Sequence, residues 1–63
     1  REQAVAKAQA ALDTAKREHA RRADAIEKER VATEARAQAE DARWREQKSK
    51  LENALHRARS GSN

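Results

Sequence analysis

The sequence predicts an all-α protein: a single long continuous helix that forms a coiled coil. Three observations carry that reading. The 63 residues contain no proline and one glycine, Gly61, so the two residues that most disfavour a helix interior are almost missing. Most other positions hold Ala, Glu, Arg, Lys, Gln or Leu, the strongest helix formers and the compositional mark of a long helix or coiled coil. The third observation is spacing. Bulky apolar residues recur at seven-residue steps, as a helix needs in order to keep one face against a partner.

Composition also sets what the chain is unable to be. Charged residues make up 41% of it, and most of its 37% hydrophobic share is alanine. The large apolar side chains are Val5, Leu12, Ile26, Val31, Trp44, Leu51 and Leu55. Seven such residues are too few for the core of a compact domain of this size. A small fold with so thin a core needs disulfides or a metal, and the chain has no cysteine, hence neither a disulfide framework nor a CxxC zinc site. High charge and low hydrophobicity can also mark disorder, but the density of helix formers opposes that reading. No run of about 18 apolar residues occurs, so no membrane span is expected. Arg1 begins in mid-pattern with no capping residue before it, which reads as a segment of a longer protein.

The first series is Val5, Leu12, His19 and Ile26, each seven apart. The second is Ala37, Trp44, Leu51 and Ala58, with Leu55 between its last two members. The step from Ile26 to Ala37 is eleven. The pattern is therefore heptads, one hendecad, then heptads, and the hendecad is a four-residue stutter that locally unwinds a left-handed supercoil. Ala8 and Ala15 fill the intervening seam positions, while Arg22, Glu29, Glu40 and Gln47 fall near the seam and weaken it. Ala4, Ala11, Ala25, Ala32 and Ala39 form a stripe beside it, interrupted at Glu18. Small residues let helices approach, in dimers as well as in antiparallel or larger bundles. Trp44, the sole aromatic residue, reads as a large knob in this sparse seam.

Acid-before-base pairs at i,i+4 cover the outer faces: Asp13–Arg17, Glu18–Arg22, Asp24–Lys28, Asp41–Arg45 and Glu46–Lys50. Such pairs help to keep a helix folded with little burial, and a monomeric charge-stabilised helix is the limiting alternative. The predicted rod covers residues 1–59 and is roughly 85–90 Å long at 1.5 Å per residue. Residues 60–63, "SGSN", read as a flexible tail, with Gly61 as the helix-ending C′ residue and Arg57 and Arg59 suited to the last turn.

Candidate chemistry is thin. His19 and His56 lie too far apart to share a metal. His19 falls on the seam, where a pH switch competes with the simpler reading of a tolerated polar residue. A rod has no concave pocket, and neither a nucleophile–base set nor a phosphate-cradling glycine loop is present, so no enzyme, cofactor or metal site is expected. Residues 1–42 hold nine Lys/Arg and nine Asp/Glu, so the whole charge of +4 falls in 43–59. Arg43, Arg45, Lys48, Lys50, Arg57 and Arg59 there are candidates for partner contact, and they are read as spread around the helix. No base-reading pattern precedes the heptads, which disfavours nucleic acid.

The stretch "AKREHARRADAIEKERVATEARAQAEDARWREQ", an alternation of Ala, Glu, Arg and Gln with an isolated Trp44-Arg45 pair, resembles the helical region of phage inner-membrane spanins, the Rz-like lysis proteins. The resemblance implies a periplasmic rod, an inner-membrane anchor upstream of residue 1 and an outer-membrane lipoprotein as partner of the distal end. The two would bridge and fuse the membranes once the wall is degraded. The chain departs from some members in lacking the cysteine used for covalent dimerisation. The competing expectation is the coiled-coil stalk of a cytoplasmic DNA-binding or cytoskeletal-type protein. In either case the chain is expected to be a homo-oligomer, with a dimer preferred.

Overall fold

A computed structural model describes residues 1–61. One element accounts for nearly all of them, the helix α1, Glu2–Gly61, of 60 residues. Its continuity follows from composition. Nucleating a helix is costly, but each further residue adds a hydrogen bond at little cost when good helix formers follow one another, so length itself favours the helix. The described residues contain no positive φ and no cis peptide bond.

Both ends match the helix dipole. Glu2 lies in the first turn and Arg59 in the last, where acidic and basic charge respectively is favoured. The Val5 N–H donates to the Arg1 carbonyl at 2.9 Å, so Arg1 serves as the entry residue although it has no capping side chain. The C-terminal end corrects the expected boundary. Ser60 and Gly61 are helical, and Gly61 does not turn left-handed as a C′ glycine does. Ser60 keeps its N–H to continue the ladder, and one glycine at the last position costs too little to stop it. The rest of the expected tail, residues 62 and 63, lies outside the described residues.

Two units divide the chain, Arg1–Ala32 and Thr33–Asn63. In the first, Glu18 and Arg22 are joined at 4.0 Å and Asp24 and Lys28 at 3.1 Å. Glu27 and Arg30, a pair three residues apart, make the best-formed contact: Arg30 donates Nε–H to Oε2 at 3.0 Å and Nη2–H to Oε1 at 2.8 Å. Asp13 takes a different partner from the expected Arg17. It accepts from Gln9 Nε2 at 2.9 Å, and Arg17 Nη2 donates to Thr14 Oγ1 at 3.3 Å.

In the second unit Glu46 and Lys50 are joined at 3.2 Å. Arg36 Nη2 donates to Thr33 Oγ1 at 3.0 Å, and Gln38 Nε2 to Glu34 Oε1 at 3.3 Å. Asp41 and Arg45 are not joined. Three of the five expected pairs are thus present, and all are exposed, so each adds only the small amount typical of solvated ion pairs.

No core exists among the described residues. Apart from Asp13, which Gln9 covers, every one of them is exposed. The helix's stability as a single chain therefore comes from backbone bonds, propensity and local pairs, with no contribution from tertiary burial.

Candidate association surface

An uninterrupted helix gives heptad spacing a definite geometry. A seven-residue step closes to within about 20° of two full turns. In the first unit Val5, Leu12, His19 and Ile26 therefore share one face and drift by about 60° along it. In the second, Ala37, Trp44, Leu51 and Ala58 do the same, and Leu55, four residues after Leu51, falls in the same arc. Val31 belongs to neither series.

These residues are exposed to a degree that matters. Val5 is 63% exposed, Leu12 49%, Ile26 65%, Trp44 52%, Leu51 58% and Leu55 49%. Neighbours on the same helix cover about half of each side chain, and no other described residue covers the remainder. Single exposed apolar residues are ordinary on protein surfaces. Here they are aligned in each unit, and hardly any large apolar residue lies elsewhere.

The basic residues are better ordered than their count around the helix suggested. Arg36, Arg43, Lys50 and Arg57 are each seven apart, one position before Ala37, Trp44, Leu51 and Ala58. They form a basic border about 100° from the seam. Lys48 and Arg59 are eleven apart and lie toward its other border. Arg45, one position after Trp44, is about 100° from it on that side. The expectation of charge scattered around the helix is corrected to this extent: three of the six basic candidates, with Arg36 added, belong to one stripe. Its seven-residue spacing is the signal that identifies it. Glu46 tempers that stripe through its pair with Lys50.

The electrostatics of the surface are otherwise mild. The bidentate hydrogen bond from Arg30 holds the Glu27 carboxyl below the usual carboxylate range and raises the Arg30 guanidinium in turn, against a small opposing effect of desolvation. Among the described residues no group of three His, Cys, Asp or Glu is placed to hold a metal ion. Depressions along the helix are open grooves between side chains, such as the one lined by Arg43, Glu46, Gln47, Lys50 and Leu51. No helix among the described residues is long and apolar enough to cross a membrane.

No family model, no curated protein and no solved structure matches the chain.

Proposed function

We propose that this segment is a structural module that self-associates as a coiled coil and acts as a spacer and oligomerisation element. One observation carries the reading. Within each unit of the helix the large apolar residues other than Val31 are aligned, and each keeps roughly half or more of its surface open. A second helix on that seam would cover them. Burial at about 25 cal/mol per Å² then adds to a helix already sustained by local interactions. Circular dichroism and sedimentation across a wide concentration range test the reading. Helicity, thermal midpoint and mass should all rise with concentration. A helical monomer whose properties do not change with concentration would show a charge-stabilised single helix.

The biological setting we propose is the periplasmic part of a spanin-like lysis protein, with residues 43–59 facing an outer-membrane lipoprotein. Support comes from the residue pattern around Trp44-Arg45 and from the concentration of basic charge in that stretch. The mechanism is reach and bundling, with no bond made or broken. Grafting residues 1–61 in place of the periplasmic helix of an inner-membrane spanin should preserve lysis, and reversing Arg57 and Arg59 to Glu in the graft should reduce it. A graft that assembles but does not lyse removes the spanin role and leaves the coiled coil standing.

A further inference from the structure

We infer that the surface covering the seam is a second copy of this chain running antiparallel, in the register where the paired residue numbers sum to 59. The inference rests on the coiled-coil reading above and adds to it an orientation, a register and a set of contacts. The argument is complementarity of size and charge along an uninterrupted helix.

A parallel in-register dimer sets each seam residue against itself. Arg22 then meets Arg22, Glu29 meets Glu29 and Glu40 meets Glu40, three like-charge layers in a seam with few large apolar residues. Like charges brought together between packed helices oppose association and act against that partner choice. Trp44 would also have to share one layer with a second Trp44, while the layers at Ala8 and Ala15 would hold only small side chains. Close packing favours the opposite arrangement, with large facing small.

Antiparallel pairing removes each of these conflicts together. In the sum-59 register Val5 faces Ala54, Ala8 faces Leu51 and Ala15 faces Trp44 of the second copy, so three large residues each meet an alanine. Leu12 faces Gln47, His19 faces Glu40, Arg22 faces Ala37, Ile26 faces Thr33 and Glu29 faces Arg30. No layer pairs like charges.

The borders follow the same register. In antiparallel helices each flank meets the same flank of its partner, two positions to either side of the seam sum. On one flank Glu18 meets Arg43, and Ala4, Ala11 and Ala25 meet Arg57, Lys50 and Arg36. The alanine stripe thus lies under the aliphatic stems of the basic border, whose charged ends reach solvent. On the other flank Lys16 meets Asp41. Moving the register by one heptad spoils this: a sum of 66 sets Ile26 against Glu40, and a sum of 52 sets Arg22 against Arg30.

Because the chain has no cysteine, introduced thiols report on orientation without interference. Val5→Cys and Ala54→Cys chains, mixed and equilibrated in a glutathione buffer, should form the mixed disulfide in about tenfold or greater excess over either self-disulfide. Self-disulfides of each variant alone, or a statistical mixture, would overturn the antiparallel register and leave the coiled coil intact. Monomeric mass for the parent chain at every concentration would overturn both. A second experiment probes the border contact directly. Glu18→Lys and Arg43→Glu should each weaken dimerisation severalfold, and the double variant should recover most of the loss. In a parallel in-register dimer position 18 meets position 18 and not position 43, so absence of recovery would overturn the proposed register.

Discussion

Trp44 concentrates the question of what the exposed apolar residues do. Its own helix covers about half of it, leaving 52% of its surface open, and its position in the series Ala37, Trp44, Leu51 and Ala58 aligns it with the proposed seam. Truncating a buried aromatic in a close-packed core costs about 3–5 kcal/mol, and an open seam should lose roughly half of that. Trp44→Ala should therefore lower the association midpoint more than Val31→Ala, which lies off the seam. Tryptophan emission should be blue-shifted in the oligomer and move to the red on dilution. A water-like emission at all concentrations, with an unchanged melting curve for the alanine variant, would assign Trp44 to contact with some other protein. The alignment of Trp44 with Ala37, Leu51 and Ala58 on one face was legible from spacing alone. The ordering of Arg36, Arg43, Lys50 and Arg57 was equally present in the sequence, but a tally of charge around the whole helix hides a stripe that a seven-residue comparison reveals.

At the scale of the helix, local terms decide. Glu27 and Arg30 form the tightest exposed pair, and the hydrogen bond from Arg30 lowers the Glu27 carboxyl. A carboxyl lowered in the folded state stabilises that state fully at pH above the ordinary carboxylate range, and the contribution is lost as pH falls through the lowered value. Helicity at low salt should accordingly drop on acidification, and Glu27→Gln should show a smaller drop. An identical acid response in the two chains would show that the pair contributes nothing. Ala20→Gly, at an exposed position away from the seam, should cost about 1 kcal/mol of helix stability, read as a lower melting midpoint. A midpoint equal to the parent's would mean that the helix does not limit melting. Helix formation itself was plain from composition. Which local pairs form was only partly so, because spacing names candidates while rotamers choose among them. Asp13 had both Gln9 and Arg17 within reach and took Gln9. The C-terminal boundary moved for a similar reason: Gly61 permits a left-handed cap but does not require one.

For the whole molecule, the absence of any core among the described residues is the governing fact. A helix of this composition can persist alone, so its presence does not by itself imply a partner. The aligned, half-open residues are what support the proposed partner, and the charge and size matches of the proposed antiparallel register would give it a definite form. The proposed register has no signature along one chain, because it depends on what Arg22, Glu29 and Glu40 would face on a second. The all-α helix was therefore accessible from sequence, whereas the proposed association depends on a second chain. Sedimentation equilibrium of the segment near neutral pH, from low micromolar to millimolar concentration, tests the central claim most directly. The account predicts a mass rising from 7.1 kDa to twice that value, with helicity rising in step. A mass that stays at 7.1 kDa throughout, with unchanged helicity, would contradict it.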